Sequence, residues 1–127
     1  MPFQYTLANL LARNDRAVAV LFLDETGETV DFACAEHTPF QMKLAGAYVG
    51  IYLRQLVEVF GDGEFGRPQL LHIEKEDLQV HAAPLPDGYY LVLIQKRPAM
   101  VAQARQTLLD ARNELAREIF EESYERS

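Results

Sequence analysis

The sequence has little of what several protein classes require. Cys34 is the only cysteine, which excludes an internal disulfide framework and favours a reducing, cytoplasmic location. Serine occurs only at Ser123 and Ser127, so no serine nucleophile can lie inside a fold that ends before them. The longest apolar stretch, Ala17–Leu23, is far shorter than the ~18 residues of a membrane span. We therefore expect no membrane insertion and no cleavable signal.

Positive charge is also scarce. The chain carries 12 basic and 19 acidic side chains, giving a net charge of −7. Binding to phosphates needs a basic surface, so this balance argues against nucleic acid as a partner.

What the chain does have is enough apolar material for a core. Of its 127 residues, 49% are hydrophobic, which at this length favours one domain. We predict a single domain over residues 1–120 and an acidic C-terminal tail over residues 121–127, because Glu121, Glu122 and Glu125 cluster there.

Periodicity predicts the order helix, two strands, helix, three strands, helix. Antiparallel hairpins covered by helices make this an α+β layered domain. Thr38-Pro39-Phe40-Gln41 is typical of a helix start, and Gly61 of a helix end. The strand after Pro86-Asp87-Gly88 is apolar at every position and should be central. The predicted elements are a helix from Pro2 to near Asn14, strands Ala17–Asp24 and Glu28–Ala35, a helix Phe40–Phe60, strands Leu70–Lys75, Leu78–Ala83 and Tyr89–Gln95, and a helix from Pro98 to about Phe120.

Candidate catalytic chemistry is weak. The loop Gly61–Gly66 lacks the lysine and hydroxyl of a phosphate-binding loop, and it lacks the oxygen spacing of a calcium loop. Cys34 falls mid-strand on an apolar face, which favours a structural thiol. If Glu76-Asp77 is a turn, His72 pairs with His81 on the face that carries Glu74. These three could hold a metal, but we favour a solvated polar face on an edge hairpin.

These observations favour a binding or regulatory module over an enzyme. We expect no catalytic residue, no cofactor and no metal.

The helix Phe40–Phe60 is apolar around most of its circumference. Its charges, Lys43, Arg54 and Glu58, fall in one narrow sector. A helix on one sheet needs an apolar stripe of only ~100° or slightly more, so this one must bury a second side. Gly46 and Gly50, four residues apart, would let another backbone approach closely.

Two arrangements can bury that second side. The terminal helices can cover it within one chain, or the helix can pack on its own copy in a symmetric dimer, which we favour. The predicted dimer interface comprises Met42, Ala45, Gly46, Tyr48, Val49, Gly50, Tyr52, Leu53 and Leu56.

The order of these elements resembles the Roadblock/dynein light chain family along residues 3–120. The stretches that carry the resemblance are AVAVLFLDETGETV at residues 17–30, the middle helix, LQVH at residues 78–81 and DGYYLVLI at residues 87–94. The resemblance implies a five-stranded antiparallel sheet with helices on both faces, dimerising through the middle helix. Members of the family bind and regulate small Ras-like GTPases or act as dimeric scaffolds. In bacterial motility and polarity systems, such a dimer resembles the GTPase-activating partner of a Ras-like protein.

The resemblance therefore implies a homodimeric regulator or scaffold of a small Ras-like GTPase. We expect Lys43, Arg54 and Glu58 to bind that partner, with no arginine-finger role for Arg54. The alternative from another class is a secretion-type chaperone, or another non-catalytic dimeric adaptor. Such chaperones place three strands before the middle helix, where this sequence predicts two. An enzyme, resting on a metal at His72, Glu74 and His81, is the third hypothesis.

Overall fold

The computed structural model describes residues 2–35, 48–52, 54, 55, 58, 66 and 68–126. Two strands follow the N-terminal helix, and three strands precede the C-terminal helix. Residues 48–52, 54, 55 and 58 are helical and form the described part of the middle helix. The elements are the N-terminal helix Pro2–Ala12, β1 Ala17–Leu23, β2 Thr29–Cys34, β3 Leu71–Glu74, β4 Leu78–Pro84, a short 3-10 turn Pro86–Gly88, β5 Tyr90–Lys96 and the C-terminal helix Val101–Arg126.

The five strands form one antiparallel sheet in the order β2-β1-β5-β4-β3. β1 and β2 form one hairpin, and β3 and β4 form another, with Leu71 opposite Ala82 and Ile73 opposite Val80. β5 joins the two hairpins at the centre and is buried at every position but its last. The α+β class, the five strands and the central position of the all-apolar strand are thus confirmed.

The N-terminal and C-terminal helices pack on the same face of the sheet. Leu7 and Leu10 from the first helix meet Leu108 and Leu115 from the last over Phe22 of β1. Ala104, Leu108, Ala111 and Leu115 of the C-terminal helix are buried on this face, whereas Val101, the first residue of the helix, is 41% exposed. This helix continues to Arg126, six residues past the predicted end.

The second face of the sheet carries its own apolar cluster. Leu21 and Leu23 of β1 lie there with Val92 and Ile94 of β5 and Val80 of β4. A sheet that is apolar on both faces needs helices on both, so this face requires a cover other than the terminal helices. Val49 of the middle helix packs against this cluster.

The turn between β1 and β2 is held by one carboxylate. Asp24 Oδ1 accepts hydrogen bonds from the Thr26 backbone N–H (2.9 Å), the Thr26 hydroxyl (2.6 Å) and the Glu28 N–H (3.0 Å). The Thr26 hydroxyl bond is the largest of the contributions that lower the pKa of Asp24. Gly27 completes the turn with a φ of 89°, which favours glycine. These hydrogen bonds fix the conformation of the turn, which lies at one end of the sheet.

Two sequence-based predictions lie outside the described residues. These are the helix start at Thr38–Gln41 and the loop Gly61–Gly66, of which only Gly66 is described. The strand count, in contrast, is tested. Within the described residues, two strands precede the middle helix and three follow it, as the sequence predicts. Secretion chaperones have three strands before it.

Candidate interaction surface

The middle helix packs against the sheet and the β1–β2 turn at Gly50. Gly50 is buried, and a Cβ built on it would lie 3.2 Å from Gly27 Cα and 3.6 Å from Leu23 Cδ1. Val49, its neighbour, packs on the second-face cluster. The absence of a side chain at position 50 thus lets the helix backbone approach the β1–β2 turn of its own chain.

The other side of the same helix is apolar and exposed. Tyr48 is 57% exposed, Ile51 52% and Tyr52 57%. Their spacing of three and four residues places them on one side of the helix. We call these three residues the outer patch. Large apolar side chains that cluster on a surface are typical of protein–protein contacts, and tyrosine is enriched in them.

Arg54 and Glu58 belong to the same helix. Arg54 Nη2 donates a hydrogen bond to the backbone carbonyl of Glu25 in the β1–β2 turn. Burial raises the pKa of the Tyr90 phenol, while the charge of Arg54 lowers it and that of Glu58 raises it. Both charges are therefore near Tyr90, at the start of β5.

The 3-10 turn closes the same end. A Cβ on Gly88 would lie 3.0 Å from Glu25 Cβ, and Gly88 has a φ of 82°. The middle helix, the β1–β2 turn and Pro86–Gly88 thus meet around Glu25.

Comparison with known proteins gives a consistent result for the fold. The chain matches no family profile, and no curated protein resembles it in sequence. Among solved structures it is similar to Myxococcus xanthus MglB, with a TM-score of 0.76 at 18% identity over 96% of this chain and 97% of that one. An MglB with a tetrameric arrangement matches with a TM-score of 0.72 at 18% identity, over 91% of this chain and 86% of that one. A Roadblock/LC7 domain from Streptomyces avermitilis matches with a TM-score of 0.65 at 16% identity, over 87% and 95%.

The chain has the Roadblock/LC7 fold. The fold expected from the sequence resemblance is confirmed.

Apart from Arg54 and Glu58, whose contacts are given above, the predicted site residues divide into three groups on this Roadblock/LC7 fold. Tyr48 and Tyr52 are exposed on the outer patch, as an interface requires. Val49 and Gly50 face the sheet of their own chain, where the backbone that approaches Gly50 is that of Gly27. Their place in a dimer interface stays a prediction. The third group lies outside the described residues: Met42, Lys43, Ala45, Gly46, Leu53 and Leu56.

Ile51 was missed. It stands three residues after Tyr48 and next to Tyr52, and this spacing alone could have marked it as part of the exposed side.

A polar cluster lies on the opposite, terminal-helix face of the Roadblock/LC7 sheet. His72 and His81 do pair across β3 and β4, with Glu74 on the same side. The solvated face that we expected is wrong for His81, which is fully buried beside Gln79 and Gln95. His81 lies on β4, which is flanked by β3 and β5. The C-terminal helix packs on β4 and covers this face.

Other functional possibilities receive no support from the described residues. Within them, no group of three or more His, Cys, Asp or Glu side chains is arranged to hold a metal ion. Cys34 is half-buried, and burial raises the pKa of its thiol, which suits an unreactive structural cysteine. Among the described helices, none combines the length and apolar character needed to cross a membrane.

Proposed function

We propose that this chain is a non-catalytic homodimeric regulator or scaffold in the pathway of a small Ras-like GTPase. The fold likeness to MglB along nearly the whole chain supports the pathway. The observation that carries the proposal is the outer patch, because it gives the middle helix a second apolar side.

The dimer follows from how the helices are distributed. Both terminal helices pack on the first face of the sheet, so they do not cover the middle helix on the second. Its inner side is already occupied through Val49 and Gly50. A two-fold axis that pairs middle helices would bury each outer patch against its copy. The tetrameric arrangement of an MglB with this fold supports self-association.

The dimer is tested by placing a charge in the patch. Ile51→Glu should give a monomer at micromolar concentration by light scattering, where the wild type has twice the 14.4 kDa protomer mass. Tyr5→Glu is the matched control, because Tyr5 is 79% exposed on the N-terminal helix, outside the patch. This control should remain a dimer. A monomeric wild type would refute the interface.

The partner surface that we propose uses Arg54 and Glu58 together with Lys43. The first two border the apolar patch, and mixed charges around an apolar centre are typical of transient interfaces and set orientation and on-rate. In a dimer, each protomer would place its own Arg54 and Glu58 at the edge of the paired middle helices. No arginine finger is required, since a partner can reorder the switch residues of the GTPase itself.

The test is a pulldown from source lysate with added GTP or GDP, using wild type, Arg54→Glu and the control Arg105→Glu. Arg105 is exposed on the C-terminal helix, outside this surface. Arg54→Glu should weaken capture of a GTP-loaded GTPase and leave the dimer intact. Among the described residues, it loses the exposed hydrogen bond to Glu25, which is worth about 1 kcal/mol.

The rate of GTP hydrolysis by the captured GTPase, measured with and without this chain, then separates the two roles. A faster rate with this chain indicates activation, and an unchanged rate indicates scaffolding. If neither nucleotide state brings down a GTPase while unfolded secretion substrates bind, the chaperone hypothesis replaces this proposal.

A further inference from the structure

A chain of hydrogen bonds crosses three strands on the first face of the sheet. It begins at exposed Glu74, whose Oε1 lies 3.2 Å from His72 Nε2, and continues through the two Nδ1 atoms of His72 and His81, 3.1 Å apart. His81 Nε2 lies 3.1 Å from both Gln79 Nε2 and Gln95 Oε1. Gln79, His81 and Gln95 are each no more than 1% exposed. The chain thus links solvent to a buried imidazole.

The fixed ends of this chain determine where protons can sit. Gln95 Nε2 donates to the Asp15 carbonyl (3.1 Å), which makes Gln95 Oε1 an acceptor. The hydrogen bond from His72 is the largest cause that lowers the pKa of Glu74, so this carboxylate is ionised at neutral pH and accepts from His72 Nε2–H.

With both rings neutral, every group has a partner. His81 Nδ1–H donates to His72 Nδ1, and Gln79 donates to His81 Nε2. One added proton costs one hydrogen bond. His81 Nε2–H then donates to Gln95 Oε1 and no longer accepts from Gln79 Nε2, which keeps its bond to Gln95 Oε1 at 2.8 Å, while the Nδ1 atoms share their proton.

A second added proton has no place. It would set two N–H groups against each other across the 3.1 Å that separates the Nδ1 atoms, on two cationic rings whose centroids are 4.8 Å apart. We propose that His72 and His81 form an acid-sensitive latch that holds edge strand β3 to β4 while the pair carries at most one added proton, and releases β3 when both rings are charged.

The surroundings of the pair contain little charge to offset the second proton. Strand β3 contributes His72 itself and Glu74. Arg97, which follows β5, lies with its Nη2 3.8 Å from Glu74 Oε2 and competes with His72 for that carboxylate. The turn before β1 contributes the Asp15 carbonyl. The described buried face of the C-terminal helix offers Ala104, Thr107, Leu108 and Ala111, none of which titrates.

The direction of the pH effect follows from His81. Burial is the largest cause that lowers its pKa, and the charge of His72 lowers it further, against a bond from Gln95 that raises it. The unfolded chain therefore binds more protons than the folded chain as the pH falls below the ordinary histidine value of about 6.5, and acid destabilises the latch. Well above that value, His81 is neutral in both the folded and the unfolded chain and adds no pH dependence to stability.

β3 is suited to release because it is short. It has four residues and pairs on one side only. Its departure would leave the outer backbone groups of β4 open for pairing with another strand.

The experiment is amide hydrogen exchange on the full chain at pH 7.5 and 5.0, corrected for intrinsic rates, with β5 amides as the internal reference. The lowered pKa of Glu74 favours its ionised form at both pH values. In the wild type, exchange of β3 amides should accelerate about tenfold or more relative to β5, since one pKa unit is a tenfold change in population.

The deciding variant is His72→Gln, because its amide can donate to or accept from His81 in either protonation state and position 72 is not buried. It should abolish the acid-induced change in β3, whereas the control His37→Gln should retain it. His81→Asn is a second variant, whose failure to fold would not affect the first. Equal β3 exchange at the two pH values in the wild type, or an unchanged response in His72→Gln, would overturn the proposal.

Discussion

Replacing Gly50 with alanine sets two opposing effects against each other in the middle helix. Alanine is favoured over glycine inside a helix by about 1 kcal/mol. The new methyl group, however, would lie 3.2 Å from Gly27 Cα, closer than ordinary van der Waals contact. Either the helix or the β1–β2 turn must move by a few tenths of an ångström.

The turn resists that movement. Gly27 N–H donates to the Asp24 carbonyl at 3.0 Å, and the Asp24 carboxylate holds Thr26 and Glu28. Overpacking against such a fixed group costs about 1–3 kcal/mol. After the gain in helix propensity is subtracted, we expect a net loss of about 1 kcal/mol for Gly50→Ala, and a larger loss for Gly50→Leu.

The assay is urea unfolding at one fixed protomer concentration, because the proposed dimer would make apparent stability depend on concentration. With a urea dependence of about 1–3 kcal/mol per molar, the midpoint should fall by roughly 0.5 M. The control Ala8→Gly, at an exposed position of the N-terminal helix, measures the propensity effect alone. If Gly50→Ala stabilises the protein by as much as Ala8→Gly destabilises it, then the contact with Gly27 costs nothing. In that case the close packing of the middle helix on the β1–β2 turn does not require glycine at position 50.

Three further predictions concern single side chains. Asp24→Ala should lose three hydrogen bonds and about 1–2 kcal/mol by urea unfolding at pH 7. Because the folded-state pKa of Asp24 is lowered, its contribution should disappear as the pH falls below about 4, so the variant and wild type should converge there. Thr107→Val should cost about 1–3 kcal/mol in thermal unfolding, because Asn14 Nδ2 loses a buried acceptor at 2.8 Å. Cys34 should react with a disulfide reagent at pH 8 more slowly than glutathione does, since burial raises its pKa, and urea should remove the difference.

The alternation of apolar residues was enough to predict the sheet. Leu78, Val80 and Ala82 alternate with Gln79 and His81, and β3 and β4 end within one residue of the predicted bounds. Tyr90–Ile94 could be placed at the centre because a strand that is apolar on both sides needs cover on both. These are local patterns, and they carry most of the architecture.

The rotation of the middle helix could not be predicted. With apolar residues nearly all round, its sequence does not say which side meets the sheet. The contact of Gly50 with Gly27, 23 positions earlier in the chain, decides it and leaves Tyr48 and Tyr52 outward. The burial of His81 was missed for a similar reason, since it depends on neighbouring strands and a helix that are remote in sequence.

The neighbouring positions of β1 and β5 have a consequence for synthesis. Leu21, near the beginning of the chain, pairs with Val92, near its end. On the ribosome, β1 therefore emerges long before the strand that completes its pairing. Seven apolar residues then stay without that cover until about three-quarters of the protein has been made, which is the interval in which premature association is most damaging. The nascent protein cannot assemble its sheet piece by piece from the N-terminus, and any truncation before β5 would remove the middle of the sheet, leaving the two hairpins with nothing to join them.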